Sequence, residues 1–403
     1  MSLDLSKAAA QIDGMAVDLR ARQSDREERV QRAVRAAREF PLDDDSPMGE
    51  PGEEAHDWPL AQVLHAPDSR HVPPTLPDDF CVAAVDGSHI DVDRHLPVRC
   101  FLINCGVSVL TYGSRPEAEL SNRPRLYARD EELVIRDASS YREQAIEGAV
   151  LGAKRTVEEI RTLVEIIREL PRSTPTLTLL DGSLVMLGLV GPLNQDFVLR
   201  ELVEEGFAGA LEELREMAAD RSMAIASYIS LPGSAEVVGA LRRTVCAYED
   251  SDAAYRCSRR GPGPRPCGEC VGGVLDRDVY SRLLEPGERS ATFATSSPTV
   301  ARYYGGDDIH FFYINGGEEI GRVEVPSWVA DDEGTLGLVH SLVVDQCRRG
   351  GGYPVGLMEA HEQAVVGGAD RRYFVEMIEQ ALYAQRQPVY TSEKARSKRL
   401  RRL

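Results

Sequence analysis

Two short stretches of the 403-residue chain each run an apolar segment straight into an aspartate. In "CVAAVDGSHID" (81–91), small and branched apolar residues lead into Asp86-Gly87-Ser88, and "LTLLDGSLVML" closes in the same way on Asp181-Gly182-Ser183. A single Asp-Gly after a strand is most simply a turn. Two of them, each at the carboxyl end of a strongly apolar strand, point to one shared site. Neighbouring strand-end aspartates repel each other unless a cation lies between them, and hard oxygen ligands suit Mn²⁺ or Mg²⁺. A glycine beside each aspartate lets backbone and phosphate approach closely.

A third carboxylate can come from the helix ahead of the second strand, "AKRTVEEIRTLVEIIREL". Its apolar stripe is Val150, Ala153, Val157, Ile160, Val164 and Ile167. Glu158 lies at the margin of that stripe. Periodicity turns Glu159 toward water and favours Glu158 over Glu165. Near the C-terminus, "GGGYPVGLMEAHEQAVV" sets Tyr353 ahead of a helix and His361 about two turns inside it, beside Glu359 and Glu362. A lone helical histidine is commonly structural, but the glycine run in front of this one would let a substrate approach. A separate group, Cys246, Cys257 and the pair Cys267/Cys270 in "CGEC", is a candidate Zn²⁺ knuckle. The gap between Cys246 and Cys257 is unlike the usual paired spacing, and free thiols are the alternative.

These residues need elements to hold them. Residues 1 to about 40 have apolar positions at helical spacing (Leu5, Ala8, Ile12, Met15, Ala16, Leu19), which predicts a helix or helical pair. Residues 41–78, rich in Pro, Asp and Glu, read as a long connector. Strands follow at 81–87 and within "VRCFLINCGVSVLTYG", then a long helix over about 138–170, a strand at 175–181 and another within 222–231. "IHFFYINGGEEIGRVEVP" (309–326) reads as a hairpin, and "YPVGLMEAHEQAVVG" as a helix opened by a proline. Strands first, then helix, strand and helix, predict an α/β chain with a mixed sheet covered by helices. In such open sheets ligands bind beyond the carboxyl ends of the strands, where Asp86 and Asp181 would sit.

The formal charge is −18, from 47 Lys and Arg against 65 Asp and Glu, which argues against a general nucleic-acid coat. Charge is uneven, however. "RCSRRGPGPRP" and the tail "SEKARSKRLRRL" are basic, and Arg289, Lys394, Lys398 and Arg399 are candidate contacts to a phosphate backbone. No apolar run is long enough to span a bilayer, and the N-terminus lacks the pattern of a secretory signal, so the expected location is cytoplasmic. Eight cysteines in a chain this long do not form a disulfide framework.

"VAAVDGS", "LTLLDGSL", "GERSATF", "FFYINGGEEIGRVEVP" and "GYPVGLMEAHEQAVV" occur in the order found in the NurA nuclease family, which the chain resembles over about residues 80–400. The resemblance implies an RNase H-like fold with a Mn²⁺-dependent deoxyribonuclease site. It also implies a homodimer and partnership with a HerA-like hexameric ATPase in DNA end resection and double-strand break repair. The expected activity is of the 5'-3' exonuclease and single-strand endonuclease type. Carried over by position, the family's carboxylates fall on Asp86, Asp181 and Glu158, with Glu159 the rival, and its late tyrosine and histidine on Tyr353 and His361. Asp86, Glu158, Asp181 and His361 would then hold the metal. The domain reading that follows is a helical extension and linker (1–79), a nuclease domain (80–390) with a loop-rich insertion at about 246–275, and a basic tail (391–403). Two rival readings are a non-catalytic dimeric adaptor of a DNA-translocating ATPase and an RNase H-like enzyme acting on RNA.

Overall fold

The computed structural model describes residues 4–42, 60–91, 98–186, 195–242, 244–245 and 270–387. The strands, in chain order, are β1 (Ala61–Val63), β2 (Arg70–His71), β3 (Phe80–Ile90), β4 (Phe101–Tyr112), β5 (Glu117–Tyr127), β6 (Val134–Arg136) and β7 (Glu143–Ala145). They continue with β8 (Thr176–Asp181), β9 (Met223–Ile229), β10 (Arg289–Ser290), β11 (Phe293–Thr295), β12 (Ile309–Asn315) and β13 (Ile320–Pro326). The helices are α1 (Leu5–Ala21), α2 (Gln23–Arg38), α3 (Ala149–Glu169), α4 (Asp196–Leu199), α5 (Gly209–Ala218) and α6 (Glu236–Leu241). After them come α7 (Asp276–Leu283), α8 (Pro298–Tyr303), α9 (Ser327–Ala330), α10 (Glu333–Arg349), α11 (Val355–Ala364) and α12 (Gly368–Ala384). The chain divides into two compact units, one of residues 1–73, 230–298 and 310–323, the other of 74–229, 299–309 and 324–403.

The second unit carries all five candidate site residues outside the cysteine group. Its sheet runs β5-β4-β3-β8-β9. β3, β4 and β5 form an antiparallel meander, whereas β8 and β9 run parallel to β3. Counted within the unit the order is 3-2-1-4-5 with only the second strand reversed, which is the RNase H-like arrangement that the resemblance implies. α3 lies against β3. Its predicted stripe of Val150, Ala153, Val157, Ile160, Val164 and Ile167 is buried throughout, in a core shared with Ala83 and Val85 of β3 and with Leu202, Phe207 and Leu211.

The helical pair at the N-terminus takes the predicted form as α1 and α2, and it belongs to the first unit. There Val30, Ala33, Val34 and Ala37 pack with Val237, Val279, Tyr280, Phe311 and Tyr313. Asp276, fully buried at the head of α7, accepts from the backbone N–H groups of Val237 (3.1 Å) and Val238 (2.8 Å) and from the Tyr313 hydroxyl (2.7 Å).

Three local expectations need correction. The connector at 41–78 contains two short strands, β1 and β2. The long helix starts at Ala149 rather than near 138, because 134–145 forms the β6–β7 pair, whose turn is tied by Ser139 and Ser140 to the Asp137 carboxylate. β5 was not anticipated. It carries Pro124 and alternating charges, which only an edge strand bonded on one side tolerates. Among the described residues no helix is long and apolar enough to cross a membrane.

Candidate metal centre

The β3–β8 ladder ends at Val85 opposite Leu180, so Asp86 and Asp181 are the next residues on two adjacent parallel strands. Each is pinned by a different local device. Asp86 Oδ1 accepts from the backbone N–H of Gly87 at 2.7 Å, and its Oδ2 meets Nδ1 of His361 at 2.7 Å. Asp181 accepts from the Tyr353 hydroxyl, and the next N–H, that of Gly182, donates to Tyr228 O at 3.1 Å. One ligand atom from each of Asp86, Asp181 and His361 lies within 4.8 Å of the other two.

His361 reaches the aspartates because α11 lies tightly across β3 and β4. The fit depends on Gly106, the cross-strand partner of Asp86, where any Cβ would overlap Ala360 O and Ala364 N and come within 2.8 Å of the Gln363 carbonyl carbon. The C-terminal carbonyls of α11, which have no partner within the helix, are taken up by the sheet. The Asn104 amide donates to Ala364 O (2.9 Å) and Gln363 O (3.1 Å), and Ser88 Oγ donates to the same Ala364 oxygen. These bonds fix the last turn, on which His361 stands. Tyr353 precedes the helix with its ring edge-on to Tyr228 (centroids 5.5 Å apart, 82° between planes). Behind Asp181, Ser183 Oγ and the Leu184 N–H donate to the buried Glu324 at 2.7 and 2.8 Å, holding the chain as it leaves the strand.

The helix carboxylates separate cleanly. Glu158 turns away from the aspartates to Lys154 (2.8 Å) and Arg125 (3.3 Å). Burial opposes its ionisation, but Lys154, Arg125 and the Tyr127 hydroxyl outweigh burial and hold its pKa below the usual range. Glu159 faces the site. It is 4% exposed, and its pKa is pushed up to about 7, first by burial and then, against the pull of Arg155, by the charges of Asp86 and Asp181. Periodicity had turned this residue to water; α3 is in fact buried on two faces, one against β3 and the other against α5 and the π-helical stretch Arg200–Ala208. Arg155, one turn before, approaches Glu159 Oε1 at 2.9 Å through Nε, without hydrogen-bond geometry. The pair sits in the space left by Gly87. A Cβ there would overlap Glu159 Oε1 and lie 2.9 Å from its Cγ and 3.0 Å from Arg155 Cγ.

These features fit a divalent cation. Glu159 Oε1 is buried with no hydrogen-bond partner. Asp181 is solvent-accessible, yet burial on its inner side and then the Asp86 charge raise its pKa. Carboxylates that each make the next harder to ionise are what a cation would relieve. The donor set of carboxylate oxygens and one imidazole matches Mn²⁺. Of the cysteine group, Cys246, Cys257 and Cys267 lie outside the described residues, as do Lys394, Lys398 and Arg399; Cys270 packs partly buried against the first unit's core.

Among residues not foreseen, Asn104 carried the clearest signal, an amide within the apolar run "FLINCGVSV". Arg155 and Glu324 carried none that separates them from other charges.

The NurA domain family model matches residues 81–366. No curated protein sequence matches the chain. Among solved structures, the NurA nuclease from Sulfolobus solfataricus aligns over 96% of this chain and 98% of its own, with 11% identity and a TM-score of 0.51, a likeness of fold. A structure of NurA with manganese aligns over 77% of this chain and 90% of its own, at 14% identity and a TM-score of 0.33. One of NurA bound to dAMP and manganese covers the same shares at 14% identity and a TM-score of 0.32.

Proposed function

The chain belongs to the NurA family, and from that premise we propose that it is a Mn²⁺-dependent deoxyribonuclease working with a HerA-like hexameric ATPase in DNA end resection. The observation that carries this reading is the convergence of Asp86, Asp181 and His361, with one ligand atom from each within 4.8 Å of the others. A homodimer acting as a 5'-3' exonuclease and single-strand endonuclease is the corresponding finer expectation.

Asp86 and Asp181 would hold the cation, Glu159 would complete the set from α3, and His361 would be a ligand or a proton-handling group. When bound, Mn²⁺ supplies charge neutralisation at the attacked phosphate and an activated water. The bond from His361 Nδ1 to Asp86 puts the ring proton on Nδ1 and leaves the Nε2 lone pair for a cation or a proton. The Tyr353 hydroxyl, held by Asp181, stands where it can orient a phosphate oxygen or the attacking water. Glu158, spent on Lys154 and Arg125, serves instead to fix α3 against β5.

The test is Mn²⁺ titration calorimetry beside cleavage of linear DNA, with and without a HerA-like ATPase. Wild-type protein should bind Mn²⁺ and cleave, EDTA should stop cleavage, and Asp86→Asn should lose both binding and cleavage while keeping its melting temperature. A protein that binds no Mn²⁺ and leaves DNA intact beside the ATPase would be an adaptor.

A further inference from the structure

Arg289 stands on β10, paired with Ile314 of β12 on one side and His71 of β2 on the other. Its guanidinium lies over the Phe312 ring, 5.5 Å from the centroid, and one terminal nitrogen donates to Ser290 O at 2.9 Å. Nε is buried with no hydrogen-bond partner. Among the described residues no carboxylate pairs with this arginine. The adjacent acid, Glu288, pairs with Arg70 at 3.5 Å and accepts from the Glu285 N–H at 2.9 Å. Burial alone pulls Arg289 down to about 10, with no acid opposing it.

A cation buried without a counter-ion is costly, and such sites persist where an anion arrives from outside. The cross-strand neighbour of Arg289 on β2 is a histidine, His71. After burial, the Arg289 charge and then His65 lower the pKa of His71. Both histidines are exposed, so the group opens to water. We infer that Arg289 and its cross-strand partner His71 form a phosphate-binding site that takes the phosphodiester backbone of a DNA strand. Guanidinium offers paired N–H groups to two phosphate oxygens, and a neutral imidazole adds a single N–H. The choice of DNA as the source of phosphate rests on the nuclease reading.

The experiment measures anisotropy of a labelled single-stranded oligonucleotide without terminal phosphates, bound to the full chain in EDTA, over a KCl series. Arg289→Gln should weaken binding about tenfold and flatten the salt slope by about 0.7, the loss of one single-strand phosphate contact. Arg289→Lys should keep the slope, and His71→Gln should lose affinity to a smaller degree; His71 is exposed, so this variant carries the test if Arg289→Gln fails to fold. A folded Arg289→Gln with wild-type affinity and slope overturns the site, as does a loss of affinity with the slope unchanged. In a parallel arm, inorganic phosphate should raise the melting temperature of wild type more than of Arg289→Gln. If the variant loses that protection but binds the oligonucleotide normally, the site serves free phosphate and the backbone assignment falls. The anisotropy is read in EDTA, without turnover, so a failed cleavage assay leaves this result standing on its own.

Discussion

Glu159→Gln should stabilise the metal-free protein at alkaline pH while abolishing Mn²⁺-dependent cleavage. In the folded state the Glu159 pKa stands at about 7, against an ordinary value of 4.5. Between those two values the folded state holds a proton that the unfolded state has released, so stability is present in full below pH 4.5 and is lost as pH rises to about 7. At about 1.36 kcal/mol per pH unit, that gap amounts to about 3 kcal/mol. Glutamine keeps the shape and never carries the charge. In EDTA, the variant should therefore equal wild type near pH 4.5 and exceed it by up to about 3 kcal/mol at pH 8. Urea unfolding followed by tryptophan fluorescence measures this in a Trp58→Phe background, where Trp328, packed against the second unit's core, is the reporter. Mn²⁺ at about 100 times its Kd should then return about 2.7 kcal/mol to wild type and far less to the variant. Parallel pH profiles for the two proteins would refute the argument, since they would mean that burial and the two aspartates do not outweigh Arg155 at Glu159.

Gly87→Ala should cut cleavage at least a hundredfold, because its Cβ displaces Glu159 and Arg155; urea melts should show about 1–3 kcal/mol of overpacking cost. Gly182→Ala, with φ at +96° and open space around it, should cost about 1–2 kcal/mol of backbone strain and leave Glu159 in place, so its Mn²⁺ affinity by calorimetry should stay closer to wild type. Asn104→Ala frees the last turn of α11 and should lower stability by about 1–2 kcal/mol, with a matching fall in Mn²⁺ affinity as His361 loosens. Tyr353→Phe removes only a hydroxyl bonded to Asp181 and should keep Mn²⁺ affinity while losing kcat.

Much of this candidate site is legible in the sequence. Apolar runs that end in a carboxylate marked β3 and β8, and both aspartates lie on these adjacent strands, although only Asp181 ends its strand. The proline before α11 and the glycine run ahead of it marked the helix that delivers His361. Glu159 was placed wrongly because a single-stripe periodicity assumes one buried face, whereas α3 is packed on two, and its second face borrows partners from 200–218, far along the chain. β5 escaped because edge strands need no apolar pattern. The α11 clamp escaped because Asn104 and Ala364 are 260 residues apart.

The two Asp-Gly-Ser motifs show where reading by motif stops. As sequence they are identical, and a turn explains each equally well. In the fold the first is not a turn at all: β3 runs through it to Ile90, with Gly87 paired across to Cys105. Gly87 is small because a glutamate and an arginine from α3 occupy the space of its missing side chain. The second does end its strand, and Gly182 is there for its backbone angle, with nothing near enough to exclude a Cβ. The serines differ too, since Ser88 ties down the end of α11 and Ser183 binds the buried Glu324. Only the aspartates share a place, just past the end of the β3–β8 ladder. Each glycine and serine acts by a route that local sequence does not encode. A substitution made at both motifs should therefore fail for unlike reasons, through the seat of Glu159 at the first and through backbone strain at the second.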